Sequence, residues 1–457
     1  MQPRDDSLLN YASRAGYGRR SSFQIDKNGG LIVGEVFDRN IRQPLVLAPS
    51  QRYQGMLLLG DPDVGKTFAM EEWALQDMVA GRGLIFIDPD GKAVKDLISL
   101  VPRNRVNDVI YLDATNMSHP VGFNWLEIDP NDFNVHRTRD LLSHGVDEAV
   151  DSLYDFGGPD VTKRVKYLIR KSVELLTYRQ GGGTVIDVPQ MLTSPERTTL
   201  DKAIAADEAC RDIWEGWTET IADEANRDAI DIIKSIWRDF LDSSVRDILG
   251  QRRSAFNLRN AIEESKIILV NASTASLGDV GSSLLGMAIL QKVCLATMAR
   301  ADLRETERRD FFIYVDEFPR FIEQTMANAL LGELAKFHIG TVVASVITAD
   351  LLADPGFRSV LEQVDVVASG RVRNDPNHAV SSRIGRIMPA QLASLPNHTV
   401  YIRLDSGTAG QVYQIDIPYL NAAVNQQLGV TLARLSTAKY GRSRAEVEND
   451  LQRRLNQ

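Results

Sequence analysis

The sequence predicts an α/β fold in which one sheet, wound from alternating strands and helices, is interrupted by an all-helical domain. Two observations predict it. Short apolar runs such as Met56–Leu59, Leu84–Ile87 and Phe311–Val315 are separated by stretches of helical character, the pattern of strands buried on both faces of a parallel sheet. From about residue 131 to 250 the alternation stops, and apolar residues recur at helical spacing instead.

The elements follow in order. Residues 1–30 mix Ser, Gly, Asn, Asp and Arg without a period, which predicts a flexible N-terminal arm. Leu31–Val36 and Pro44–Leu47 read as short strands, and Met56–Leu59 as a third that runs into glycine. Lys66–Ala80 is helical and stops at Gly81, Leu84–Ile87 is a strand ending in Asp88, and helix Lys92–Leu100 leads to strand Val109–Leu112. Residues 31–130 therefore form the first part of the sheet domain. Residues 131–255 form the helical insertion, with Val165, Leu168, Ile169, Val173 and Leu176 on one stripe and Ala229, Ile233, Ile236, Trp237 and Phe240 on another. Three of the five tryptophans (Trp214, Trp217, Trp237) and a Gly181–Gly183 break give it a core and a turn of its own. The sheet resumes over 256–420 with Ile267–Val270, Phe311–Val315, Thr341–Ala344, Val364–Val367, Val400–Ile402 and the polar-alternating Val412–Ile417. In the tail, 421–457, Ser443 and Glu446 make a capping-box pattern, and Val447, Leu451 and Leu455 mark one face of a short charged helix. That helix either packs on its own domain or is offered to a partner.

Composition narrows the function classes. The 457 residues carry 52 Lys+Arg against 61 Asp+Glu, a net charge of -9, which argues against a protein coated in nucleic acid but not against a narrow basic channel. Only Cys210 and Cys294 are present, without a CxxC or a Cys/His cluster, so a disulfide scaffold and a structural zinc are excluded and a reducing compartment is expected. Met1–Arg20 lacks the apolar segment of a signal peptide, and the apolar run Ser283–Leu290 stops at Gln291 and Lys292, short of the ~20 residues that span a bilayer. A cytoplasmic protein with no direct membrane span is expected.

Gly60-Asp61-Pro62-Asp63-Val64-Gly65-Lys66-Thr67 fits GxxxxGK[ST], with an apolar strand before it and a helix, starting with Phe68, after it. Such a turn aims successive backbone N–H groups and a helix N-terminus at phosphate oxygens, while Lys66 neutralises β/γ charge and the Thr67 hydroxyl can ligate Mg²⁺. The spacing excludes a dinucleotide fingerprint, which needs GxGxxG. Asp63 stands where glycine is common, and aspartate tolerates left-handed backbone better than most residues. The complementary half of such a site is an apolar strand ending in acid, supplied by Phe311–Val315 followed by Asp316 and Glu317. Asp316 is expected to hold Mg²⁺, and Glu317 to orient or deprotonate the attacking water. Asp88 and Asn271, also at strand ends, are either second-tier site residues or helix caps and turn formers.

With these motifs the chain resembles the TraG/TraD-type coupling ATPases of conjugation and type IV secretion, within the HerA/FtsK class. The resemblance runs from Gly60–Thr67 through Gly81–Gly91, Asp108–Asp113, Pro120–Asn124, Ile267–Asn271 and Tyr314–Phe318, and covers roughly residues 31–417. It implies a RecA-like P-loop NTPase sheet with an all-helical domain, ATP and Mg²⁺ as cofactors, and a hexameric ring of identical subunits. It also implies sequence-independent binding of DNA and contact with secretion-channel or relaxosome-like proteins. Lys66 and Glu317 are then the catalytic residues, Thr67 and Asp316 the metal ligands, and Gly60–Phe68 the nucleotide-binding segment. Two positions depart from the family pattern: Ala335-Lys336 stands where an Arg-Lys pair supplies an arginine across the subunit interface, and Ser345-Val346 where a strand ends in a γ-phosphate-sensing glutamine. An arginine finger is worth on the order of 10³–10⁵ in turnover. The leading expectation is an ATPase that uses ATP to move or recruit DNA. The alternative, unless Lys336, Arg320, Arg371 or Arg373 substitutes for the finger, is a nucleotide-binding ring subunit with little turnover that serves as a structural or recruitment platform. A small-molecule kinase is disfavoured, since no acceptor-site signature is present.

Basic residues cluster at Arg252-Arg253, at Arg304, Arg308 and Arg309, and at Arg371, Arg373, Arg383 and Arg386. Each cluster is either a solvated, salt-bridged face or, repeated around a ring, a phosphate-binding surface. Arg371 and Arg373, directly after the strand Val364–Val367, are the candidate DNA contacts.

Overall fold

Apolar runs with no polar interruption become strands buried on both sides, and this chain assembles them into a sheet that is eleven-stranded among the described residues. The computed structural model describes residues 29–38, 41–193, 200–241, 244–321, 327, 329–385, 387–404, 410–417 and 425–455. The predicted arm through residue 28 and Arg386 lie outside the described residues, as do the side chains of Phe240 and Leu455. The chain divides into two compact units. One holds the chain through Tyr111, Ile262–Val270 and Arg300–Leu435; the other holds Leu112–Ala261, Asn271–Ala299 and the chain from Ser436.

The strands of the sheet are β1 (Leu31–Asp38), β2 (Ile41–Leu47), β3 (Met56–Gly60), β4 (Gly83–Asp88), β5 (Val109–Asp113), β6 (Ile267–Asn271), β7 (Phe311–Val315), β8 (Ile339–Val346), β9 (Val366–Ser369), β10 (Thr399–Leu404) and β11 (Gln411–Asp416). Their spatial order is β2-β1-β11-β10-β9-β3-β8-β7-β4-β6-β5. β9, β3, β8, β7 and β4 pair in parallel, each buried along its length apart from the half-buried end of β8. The prediction of a parallel sheet needs one correction. β2, β1, β11 and β10 run antiparallel to their neighbours, and β10 alternates, with Val400, Ile402 and Leu404 buried and Tyr401 and Arg403 half-buried. A strand with one solvated face carries that alternation; a strand covered on both faces does not.

The helix Lys66–Val79 is tied to β7 at both ends. At its far end the fully buried Asp77 carboxylate accepts both guanidinium nitrogens of Arg52 at 2.8 Å, Arg82 Nε at 2.6 Å and the Tyr314 hydroxyl at 2.6 Å. The Arg52 guanidinium also lies over the Phe312 ring, 3.4 Å from its centroid. These partners outweigh desolvation and hold the Asp77 carboxyl below its ordinary range. Breaking a buried pair of this kind costs about 3–5 kcal/mol, because a charge is left uncompensated.

In the helical unit, Val135–Leu153 packs on Pro159–Tyr178, with Arg170 donating to the buried Asp147 at 2.6 Å. Trp214, Trp217 and Trp237 are buried there, and the indoles of Trp217 and Trp237 donate to the carbonyls of Met191 and Val185 at 3.0 and 2.7 Å. Cys210 and Cys294 are buried thiols. The apolar run that the sequence ends at Gln291 is in fact part of a long helical stretch, Thr274–Met298, broken by a kink at Gly278. Gln291 and Lys292 do not stop it, because their polar ends find backbone acceptors: Gln291 donates to Leu141 O at 2.6 Å and Lys292 donates to Glu127 O. Burial brings the Lys292 ammonium down to about 8. By length and composition, Thr274–Asp302 could cross a membrane, yet 78% of its apolar window is buried in the protein. The tail helix Arg444–Leu455 packs on this unit through Val447 and Leu451, and through Arg454, which reaches Asp187 Oδ2 at 3.4 Å and the Gly250 carbonyl. Of the two expectations for the tail, packing on its own domain is the one observed.

Candidate functional site

At the end of β3 the chain turns through Gly60–Gly65 into the helix that begins at Lys66. The turn needs positive φ at three residues. Gly60 takes it at φ 154°, Asp63 at φ 60°, the geometry that its aspartate tolerates, and Gly65 at φ 100°. A side chain at Gly65 is also excluded by space, since a Cβ there would come within 2.6 Å of His398 Nδ1. The Lys66 ammonium folds over the turn and donates to Gly60 O at 3.1 Å and Asp61 O at 2.8 Å. Burial lowers its pKa, opposed by Asp316, Asp61, Glu317 and Asp63. Pro62 and Asp63 are exposed, and Val64 is buried against Gly60 and Gly370.

The neighbouring strands bring the acids. The parallel register places Leu59 beside Ser345 and Ser369, and β8 in turn pairs with β7. Asp316, following β7, accepts the Thr67 hydroxyl at 2.6 Å on Oδ2, and its backbone N–H donates to Ile87 O at 3.1 Å. Burial, with Asp88 and Glu317 nearby, pushes the Asp316 carboxyl up to about 6 despite the Thr67 hydrogen bond. Glu317 is a non-glycine residue at φ 47°, backbone strain of the kind that concentrates at functional sites. Its carboxylate is 44% exposed and lies 3.6 Å from Arg320, so Arg320 is engaged within the same turn. The structure thus brings Lys66, Thr67, Asp316 and Glu317 together.

The second-tier residues have structural partners. Asp88 is buried and accepts N–H groups from Asp90 at 2.9 Å and Val94 at 3.2 Å, which ties the turn after β4 to the first turn of helix Lys92–Ile98, whose N-cap position is Gly91; burial raises its pKa. Asn271, in the helical unit, donates to Asp113 Oδ1 at 2.9 Å and accepts from Ser273 N at 3.3 Å, as a turn former does. Two residues beside the loop carry no motif. Glu71, one turn into the helix, is pushed up to about 8 by burial with Asp96, Asp88 and Asp316 nearby. His398 stands over Gly65; no local pattern marks it, because only the packing of a distant turn brings it there.

The chain matches no protein-family model and no curated protein in sequence. Its fold is matched among solved structures. The bacterial conjugative coupling protein TrwB, without its first 70 residues, superposes with a TM-score of 0.59 at 16% identity over 86% of this chain and 91% of that one. TrwB in complex with ADP and Mg²⁺ gives 0.57 at 16% identity over 93% and 95%. VirB4 of Thermoanaerobacter pseudethanolicus gives 0.56 at 14% identity over 88% and 99%. This chain has the fold of the conjugative coupling proteins.

Within the coupling-protein fold, the two departing positions sit at the ends of β8. Lys336 is exposed, 3.9 Å from Glu333, in the short turn before β8. Ser345 is buried, and its hydroxyl turns back onto Val346 O at 2.8 Å. The segment after β9 lies along the phosphate loop: Gly370 N donates to Leu59 O at 2.9 Å, Asp61 N to Arg371 O at 2.8 Å, and Arg373 N to the Asp61 carboxylate at 3.3 Å. The Arg371 guanidinium donates to Leu395 O at 3.2 Å, whereas Arg373 is largely exposed, 3.8 Å from Asp61. Several other arginines of the basic clusters brace the fold. Arg308 donates to the carbonyls of Lys336 and Leu303 at 2.7 and 3.0 Å, Arg383 to those of Leu361 and Val364, and Arg253 to Glu127 Oε1 at 3.2 Å.

Proposed function

We propose that the chain binds and hydrolyses Mg-ATP, as a cytoplasmic DNA translocase or coupling protein of a conjugation- or type IV secretion-like system. The single observation that carries this reading is the Thr67 hydroxyl on the Asp316 carboxylate at 2.6 Å, at the foot of a GxxxxGK[ST] turn. A hydroxyl and a carboxylate whose burial, with Asp88 and Glu317 nearby, raises its pKa form an oxygen donor set suited to a hard divalent cation. Thr67 and Asp316 are the residues that would hold Mg²⁺. When bound, the ion neutralises phosphate charge. A coupling protein of the same fold is known with ADP and Mg²⁺ and with an ATP analogue, which supports the choice of ligand.

The protein's own groups have separable tasks. The loop N–H groups and the helix N-terminus take phosphate oxygens, and Lys66 exchanges the Gly60 and Asp61 carbonyls for them. Glu317, half-buried and paired with Arg320, orients the attacking water and accepts its proton, a contribution of about 10²–10⁴. In a ring of identical subunits, six by the coupling-protein resemblance, a neighbour completes the site. Arg373 presents a guanidinium suited to DNA phosphates without regard to sequence, and Arg371 supports the same segment. Secretion-channel and relaxosome-like proteins are the partners that this reading assigns to the ring.

A second reading has its own support. Lys336 is a lysine on the surface and Ser345 turns its hydroxyl onto its own chain, so the positions for a finger and a sensor carry neither. This favours a nucleotide-binding ring subunit with little turnover, acting as a platform. Steady-state ATPase rates with and without double-stranded DNA, beside Lys66→Ala and Glu317→Gln, separate the two. DNA-stimulated turnover lost in both variants supports the motor; tight Mg-ATP binding without turnover supports the platform.

A further inference from the structure

Beside the phosphate loop two aromatic rings meet. Phe68, in the first turn of the helix, and His398, in the turn before β10, stand edge to face with centroids 5.3 Å apart and planes at 80°. Their backbones fix the meeting. His398 N donates to Val64 O at 2.9 Å, its carbonyl accepts Ile417 N at 2.8 Å, and its φ of 61° is a left-handed geometry that histidine adopts more readily than most residues. Both rings are half-buried, so each keeps some surface toward solvent.

The direction in which a nucleotide leaves the loop follows from Lys66. That ammonium takes the β/γ end of a triphosphate, and the loop N–H groups cradle the α/β end. The α-phosphate and the nucleoside beyond it therefore leave past Thr67 and Phe68, toward the two rings. Any nucleobase has a π-face that an aromatic side chain can stack on, and such stacking is sequence-tolerant.

We propose that Phe68 and His398 form the platform for the nucleobase, with His398 the residue through which the site distinguishes a nucleoside triphosphate from a bare polyphosphate. This rests on the Mg-nucleotide reading above. Removing a stacking ring lowers affinity by about tenfold or more.

The test is calorimetric titration of the full chain with Mg-ATP and, separately, with Mg-tripolyphosphate. His398→Asn removes the ring while tolerating the left-handed backbone, and Phe68→Leu removes the other ring from within a helix. Each variant should weaken Mg-ATP about tenfold and change tripolyphosphate by less than about twofold, and His398→Phe should recover most of the ATP affinity. Equal losses for both ligands would make the rings braces of the loop and overturn the platform, as would unchanged ATP affinity in both variants. Wild-type protein that binds tripolyphosphate but gains nothing from the nucleoside also overturns it. Wild-type protein that binds neither ligand sinks the nucleotide reading itself and the platform with it.

Discussion

The foot of the phosphate loop and the ends of β8 lie within the same sheet unit and are built to different standards. At the foot, Lys66 and Asp316 are buried and, with Thr67, each is held by a named partner at 2.6–3.1 Å: the Lys66 ammonium on two loop carbonyls, the Thr67 hydroxyl on the Asp316 carboxylate. Around β8, Lys336 is exposed beside Glu333 and Ser345 is satisfied by its own neighbour. On the proposed reading, the groups that would hold a Mg-nucleotide and its attacking water come from one chain, whereas the positions around β8 supply neither a finger nor a sensor. Those are assigned, on the same reading, to a neighbouring subunit.

The largest effects should fall on the first region. Glu317→Gln should lower Mg-ATP turnover by about 10²–10⁴ while leaving affinity within a few-fold, checked by phosphate release beside calorimetric binding. Lys66→Ala should lower turnover by about 10²–10³ and weaken binding as well, since it removes a preorganised cation from the phosphates. If Glu317→Gln lost binding and turnover together, the separation between holding and hydrolysing would be broken.

Stability offers a sharper version. Asp77→Ala strands the buried guanidinium of Arg52 and should cost about 3–5 kcal/mol in denaturant unfolding. Because Asp77 fastens the helix that begins with Lys66 and Thr67 to Tyr314 on β7, it should also weaken Mg-ATP binding without touching the site. Asp316 should do the reverse. Its folded pKa of about 6 lies above the ordinary ~4, so the folded chain binds more protons than the unfolded one in that window, and stability from this group falls as pH rises from about 4 to about 6. Asp316→Asn should therefore raise the Tm of the nucleotide-free protein by a few degrees near neutral pH, while abolishing the further rise that Mg-ATP gives wild type. Scanning calorimetry reads both. Lys336→Ala closes the series: in one isolated subunit it should change turnover by less than about twofold, the value of an exposed pair.

How much of this was legible follows from where each signal sits in the chain. The loop, the acidic strand end and the strands themselves are local patterns, and Asp63 at left-handed φ follows from its residue type. Asp88 is legible as a strand-end acid, but its three-dimensional use as a tie to the next helix is set by the turn after it. The antiparallel end of the sheet is not local, since β1 finds β11 across nearly the whole sequence. Helix Thr274–Met298 gives no clear period because it is apolar around most of its circumference, and its buried Gln291 and Lys292 look like a boundary until their acceptors are seen. His398 is least legible of all. A lone histidine in a turn acquires meaning only when packing sets it on Gly65 and Phe68.

The site is proposed to hold a Mg-nucleotide within one subunit and to turn it over rapidly only when subunits associate. Phosphate release from Mg-ATP, measured per subunit over a range of protein concentrations with and without double-stranded DNA, tests this most directly. Specific activity should rise with protein concentration and rise further with DNA. A specific activity independent of concentration and indifferent to DNA would contradict the proposal.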